Sequence, residues 1–238
     1  MQIVRIILQI RTAKSRNINE NPMQNNKYEL LLLQNTNYFA KIVNKKGGEG
    51  MNKKTVALTT AQYKEIISTM KRGFTGCRPN ERVATALMLE ANLGLRISDI
   101  VRLKLSDIIH DGERYRLAIK EQKTGKARVF TVPLALYQFI RCYCVDNSIA
   151  ANEVIFPLTE RAVQKHLKTV CDFLEIDGIS THSFRKYYAT EIYKNNDYNI
   201  ALVQQLLQHS STAVTQRYIG IQQKQVEEAI EKHLKLDI

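Results

Sequence analysis

The chain has 238 residues, 44% hydrophobic and 24% charged, a balance that supports a buried core in one large domain or two small ones. With 35 Lys and Arg against 23 Asp and Glu the formal charge is +12, so a polyanion, either nucleic acid or an acidic membrane surface, is the first partner to consider. No apolar run nears the ~20 residues that span a bilayer, and Cys77, Cys142, Cys144 and Cys171 have neither zinc-site spacing nor the density of a disulfide scaffold, which points to reduced thiols in a cytoplasmic protein.

Residues 1–50 differ from the rest. Met1–Ile10 is apolar but broken by Arg5, with no small-residue cleavage site after it, which argues against a secretory signal. Eight asparagines fall between Asn17 and Asn44, and the segment holds +5 of the charge, leaving +7 for Met51–Ile238. One expectation is a disordered or loosely docked basic arm. Another comes from Lys46-Gly47-Gly48, whose codons permit a purine-rich ribosome-binding sequence about seven nucleotides before the Met51 codon, making 1–50 a mis-annotated upstream extension. Either way the working domain is expected at 51–238.

Regular patterning starts after Met51. Thr59 or Thr60 can cap a helix carrying Tyr63, Ile66, Ile67 and Met70 at i, i+3, i+4 and i+7. Gly73–Pro79 breaks it, Asn80 and Glu81 start a second helix, and Gly94 stops that one. A short helical stretch is expected at Ser98–Leu103. Tyr115, Leu117 and Ile119 alternate with polar residues, as do Val129 and Thr131, and Lys123-Thr124-Gly125-Lys126 reads as the hairpin loop between two strands. Pro133 closes the second strand. Helices follow at Leu134–Asp146, Thr159–Leu174, His182–Tyr193, Ile200–Gln208, Thr212–Ile219 and Lys224–Leu236. The pattern predicts a mainly α domain with a small antiparallel β-sheet.

Several polar residues stand out from this pattern. Arg96 lies at a junction between apolar helices and needs a partner, for which Asp99 and Glu90 are the local choices. His182 and Arg185 are three apart on one helix face. His209 follows Leu206-Leu207-Gln208, and Tyr218 comes nine residues later. Taken singly, each is more often a salt bridge, a solvated face, a cap or a packing residue.

In order, Gly-Leu-Arg-x-Ser-Asp, a Lys-bearing hairpin, His-x-x-Arg, Leu-Leu-x-His-Ser-Ser and Thr-x-x-Tyr resemble the catalytic domain of the tyrosine recombinases, the phage-integrase-like enzymes, from about Thr59 to Ile238. The resemblance implies that fold and makes Arg96, Lys123, His182, Arg185 and His209 active-site bases and cations, with Tyr218 the nucleophile. Lys120 and Lys126 flank the same turn, and Lys126 is the alternative to Lys123. Two local departures are Gln208, where Gly is common, and Lys186, where a second histidine is common. The family's usual separate core-binding domain has no counterpart in the pattern, so the closer resemblance is to catalytic-domain-only members such as fimbrial-inversion recombinases. The tail at 224–238, with Val226, Ala229, Ile230 and Leu234 in a stripe, is expected to exchange between protomers.

The resemblance implies a site-specific recombinase that cleaves and rejoins double-stranded DNA through a 3′-phosphotyrosyl bond, with no metal, ATP or other cofactor. Two arginines suit the non-bridging oxygens of an in-line phosphoryl transition state, a histidine suits the tyrosine proton, and a hairpin lysine suits the departing 5′-oxygen. Arg114, Arg116, Lys120, Lys126 and Arg128 around the hairpin, with Lys186, are the expected phosphate contacts. A homotetramer on paired sites and an accessory DNA-bending protein are the further partners implied, and no membrane. The competing readings are a catalytically silent DNA-binding protein of the same fold and a type IB topoisomerase.

Overall fold

The computed structural model describes residues 55–220. The chain divides into Met1–Met51 and Asn52–Ile238, and the described residues all belong to the second unit. The expected arm at 1–50 and the expected tail helix lie outside them.

Helix α1, Thr60–Arg72, starts on a reciprocal cap: Thr59 Oγ1 accepts from Gln62 N at 3.2 Å, and Gln62 Oε1 accepts from Thr59 N at 3.0 Å. Its Ile66, Ile67 and Met70 are buried, as their spacing predicts. Helix α2, Glu81–Leu93, is capped by Asn80 and buried on almost every side, from Val83 through Leu93. A helix apolar all round belongs at the centre of a domain, and α2 packs against α1, the short helix α3 (Ile97–Ile100) and helix α6 (Thr181–Asn195). Gly94 ends α2 in the left-handed region at φ 59°, and Tyr188 of α6 packs so closely that a Cβ there would sit 2.3 Å from its ring.

Helix α3 stops earlier than the expected Ser98–Leu103, because the chain turns through a 3₁₀ segment at Leu105–Asp107 into a sheet. Strands β1 (Ile108–Asp111), β2 (Arg114–Lys120) and β3 (Ala127–Val132) run antiparallel in that order. β1 carries no alternation to read: only Ile108 is buried, opposite Leu117. In β3 the apparent apolar phase is reversed, since Val129 is 54% exposed while Arg128 and Val132 point inward.

Helices α4 (Leu134–Asp146), α5 (Glu160–Phe173), α6, α7 (Ile200–Leu207) and α8 (Thr212–Ile219) complete the unit. One large hydrophobic cluster runs from Leu58 to Phe184. A much smaller one, Ala189, Val203 and Leu207 with Tyr218 and Ile219 against it, holds α7 and α8 to the back of α6. Among the described residues no helix is long and apolar enough to cross a membrane.

Candidate active site

Four loops and helix ends meet around the carbonyl of Gly94. That oxygen accepts from Arg128 Nη1 at 3.3 Å and from Arg185 Nη1 in a short contact. The same two guanidiniums reach the end of α7: Arg128 Nη2 donates to Leu206 O at 2.6 Å, and Arg185 Nη2 to Leu207 O at 3.3 Å. Arg185 is 2% exposed. An arginine has five N–H donors, so two backbone carbonyls do not exhaust it.

Arg96 caps α3 in an extended conformation and stays 18% exposed. Its partner is neither Asp99 nor Glu90 but Glu121, at the end of β2: Arg96 Nη1 lies 2.6 Å from Glu121 Oε2. Glu121 is buried, which alone would raise its carboxyl, but hydrogen bonds from Arg96 and Thr124 and the charges of Arg96 and Arg128 outweigh burial and hold it below the usual carboxylate range. Asp99 instead accepts from Gln122 N at 2.9 Å, at the other side of the turn. Glu90 is fully buried, and its carboxylate oxygens complete no hydrogen bond of full geometry among the described residues, although the Ile97 backbone N–H lies close enough to act on it. Burial raises it well above the ordinary value, against the pull of Arg185.

His182 stands exposed in the first turn of α6. Desolvation lowers it first, and then the positive charges of Arg185, Arg96, Lys123 and Lys186. Lys123 is thus close enough to act on His182 from the exposed hairpin turn. Lys126 lines an open cavity with Gln204, Gln205, Gln208 and the site residue His209.

His209 is half-buried; its Nδ1 lies 3.0 Å from Thr215 Oγ1, which fixes the ring from within α8. Burial lowers its basicity, and Arg185 and Arg96 lower it further. The ring meets Tyr218 edge-on, centroids 5.1 Å apart. Tyr218 sits in the last turn of α8, its hydroxyl buried with no completed hydrogen bond among the described residues. Desolvation pushes the phenol up to about 12; Arg185 and Arg96 pull against that, and Glu90 adds to it. Lys186 Nζ lies 5.4 Å from the centre of the Tyr218 ring and donates to Thr55 O at 2.6 Å.

Arg96, Arg185, His182, His209, Lys123 and Tyr218 therefore converge on one region. The expected DNA-contact set does not hold together. Arg114, Lys120 and Lys126 are exposed on the hairpin side, while Arg116 pairs with Asp111 at 2.8 Å. Arg128 is a correction: it is 3% exposed, and Glu121, Gly94 O, Leu206 O and the Phe130 ring surround it, so it braces the site from inside. Lys186 faces Tyr218 and Thr55 within the site. Glu121 was not singled out from sequence; Glu90 was named only as a partner for Arg96, and Thr215 only as the first residue of the Thr-x-x-Tyr motif. The signal for Glu121 was an acidic residue at a strand end between two basic stretches, which composition alone reads as solvated. Among the described residues no group of three or more His, Cys, Asp or Glu is placed to hold a metal ion.

Comparison with known proteins gives these features a family. The model of the phage integrase family matches residues 57–225. The Bacillus subtilis (strain 168) protein named "Probable integrase/recombinase YoeC" is 31% identical over 149 residues, 60% of this chain and 79% of that protein. The tyrosine recombinase XerA of Pyrococcus furiosus is 27% identical over 186 residues, 74% of this chain and 61% of that protein, so the chain spans about three fifths of its length. In fold, the chain is similar to XerH site-specific recombinase bound to palindromic difH substrate in a post-cleavage complex, with a TM-score of 0.57 at 18% identity over 75% of this chain and 53% of that one. A family model covering well over half of the chain, on a mainly helical unit with a three-stranded antiparallel sheet, shows that this chain belongs to the phage integrase family of tyrosine recombinases.

Proposed function

We propose that the chain is a site-specific DNA recombinase. Tyr218 Oη attacks a scissile phosphodiester in line, the bond from phosphorus to the 5′-oxygen breaks, and a 3′-phosphotyrosyl linkage stores the bond. The 5′-hydroxyl of another strand then attacks that linkage and releases the tyrosine. The number of phosphodiester bonds is conserved, so the cycle requires neither ATP nor hydrolysis.

The observation that carries this reading is the Tyr218 hydroxyl: buried, within reach of the Arg185 guanidinium but short of full hydrogen-bond geometry with it, and in the field of Arg185 and Arg96. A phenol in that position is protonated at neutral pH and ready to give its proton to a base as it bonds to phosphorus. His182, its basicity lowered by desolvation and then by its cationic neighbours, suits that base. The arginines offer planar donors to the non-bridging oxygens as charge builds on them, and His209, fixed through Thr215, adds a hydrogen bond. Lys123 is the proton donor to the 5′-oxygen, favoured because its charge acts on His182; Lys126, which shares a cavity with His209, is the alternative. These groups supply charge and protons in place of a metal. Exchange between two duplexes needs four cleavages, one tyrosine each, which points to a tetramer on paired sites, and an accessory DNA-bending protein would bring such sites together.

A covalent-capture experiment tests the reading. A randomised pool of duplexes nicked close to the centre lets the short 5′-hydroxyl fragment diffuse away, so a tyrosine recombinase is trapped on its DNA, and sequencing the captured DNA yields the site. Wild-type protein is expected to give a denaturation-resistant adduct, and Tyr218→Phe none, while still shifting the captured duplex in a native gel. Binding without an adduct by the wild type would leave a DNA-binding protein only. An adduct with Tyr218→Phe would move the nucleophile elsewhere.

A further inference from the structure

Glu121 places a carboxylate where an anionic substrate would least welcome it, 2.6 Å from Arg96. A buried ion pair is a poor way to add stability, because desolvation offsets most of the attraction. Its geometry supplies a better reason. Glu121 Oε2 accepts from both Arg96 Nη1 and Thr124 Oγ1, the latter at 2.9 Å, while Oε1 faces Arg128 Nη1 at 3.3 Å. The backbone of the same residue closes the turn: Glu121 N donates to Lys126 O at 3.0 Å, and Glu121 O accepts from Gly125 N at 2.8 Å. Lys123 lies inside the loop so closed. One carboxylate oxygen therefore holds both a site arginine and the turn that carries the site lysine.

We infer that Glu121 is a positioning residue that sets Arg96 and the Lys123 turn in a single geometry, an inference that rests on the recombinase reading above. With one η-nitrogen held by Oε2, one end of the Arg96 guanidinium is anchored and its remaining donors are left for the substrate. Through Thr124 the same oxygen holds the turn, so the lysine reaches the leaving oxygen from a fixed distance. The competing account is that Glu121 only neutralises the buried Arg128. Arg128 uses the other oxygen, and Thr124 is exposed, so Thr124→Val cuts the side-chain link from Glu121 to the turn, together with the longer 3.3 Å bond from Lys126 N to Thr124 Oγ1. It leaves both ion pairs and the backbone closure of the turn in place.

The test compares two forms of the captured DNA site, one natural and one with sulfur in place of the bridging 5′-oxygen. A thiolate leaves without a proton, so the sulfur substrate does not need Lys123. Lys123→Ala serves as the reference for a pure loss of the proton donor. Thr124→Val is expected to slow adduct formation on the oxygen substrate by about tenfold or more, since misplacement of about 1 Å can cost as much as 10² in rate. The sulfur substrate should bring it back to within about threefold of wild type. Glu121→Gln should slow the oxygen substrate by about 10² and recover only part of that with sulfur, because Arg96 is misaligned as well. Thr124→Val acting like wild type on both substrates, or slowed equally on both, would overturn the inference and leave Glu121 as the counter-charge of Arg128. Thr124→Val keeps the test open even if Glu121→Gln fails to fold. If wild-type protein forms no adduct on either substrate, the recombinase reading itself fails and takes this inference with it.

Discussion

His182 and His209 are both pushed toward the neutral form, by burial first and by the site's arginines second, whereas burial holds Tyr218 at about 12. The consequence for pH follows from the signs. A depressed imidazole stays unprotonated below its ordinary 6.5, and the phenol does not ionise by itself anywhere near neutrality. Adduct formation is expected to hold level from about pH 9 through neutrality and past the ordinary imidazole value, then to fall in more acid solution as the histidine takes up a proton. Single-turnover rates across that range check this; a rise of about tenfold per pH unit up to about pH 9 would mean the tyrosine ionises to solvent without a base. At this scale the sequence showed which residue types belong to the site, because motif order is preserved in the chain. It did not show what each arginine touches. Arg96, at the start of α3, pairs with Glu121 just past the end of β2, and Arg128 turns inward because three acceptors, from Gly94, Leu206 and Glu121, wait there. Such partners are 7 to 78 residues away in the chain, beyond any local pattern.

Helix and strand limits were legible wherever a cap or a period marks them. Leu134–Asp146 and Thr212–Ile219 fall where their spacing puts them, and Thr59 caps α1 through Gln62. β1 was missed because only one of its four residues is buried, and the phase of β3 misled because Val129 faces solvent. The end of α7 shows an element under local cost. Gln208 takes the left-handed conformation at φ 55° and ψ 38°, a position that glycine fills without strain, and its Nε2 bonds to Ala127 O at only 3.3 Å. Gln208→Gly is expected to stabilise the unit by about 1 kcal/mol, the lower part of the αL cost of a side chain. That corresponds to a rise in Tm of about 2–4 °C, read by thermal unfolding. A lower Tm would mean that the bond to Ala127 and the greater freedom of glycine in the unfolded chain outweigh the strain.

At the scale of the whole unit, the two hydrophobic clusters are unequal. α1 to α6 share one extended core, but α7 and α8, with His209 in the turn between them and Tyr218 on α8, rest on three fully buried side chains. Elements with few buried apolar contacts open at lower free energy than the rest of a domain. Amide hydrogen exchange under native conditions should therefore release α7 and α8 well before α2, with the Arg128 and Arg185 bonds to Leu206 and Leu207 as the main brake. Equal protection in the two regions would show that the unit opens all at once. The overall class, helical with one small sheet, could be read from periodicity. This division of the core could not, because it depends on which apolar faces meet.

One atom in this arrangement lies outside the reach of ordinary mutagenesis. The oxygen of Gly94 receives two buried guanidiniums, yet it belongs to the main chain, and no change of side chain removes it. Substituting Gly94 itself drives a Cβ into the Tyr188 ring, so any loss that follows reports a collision and says nothing about the acceptor. Alanine scanning would score the arginines and pass over what they hold in common. Only an edit to the backbone, an ester in place of the amide between Gly94 and Leu95, weakens that oxygen while keeping every side chain. Sequence drift is under the same restriction: a substitution can remove either arginine, but the acceptor they converge on is present in every chain that makes this turn.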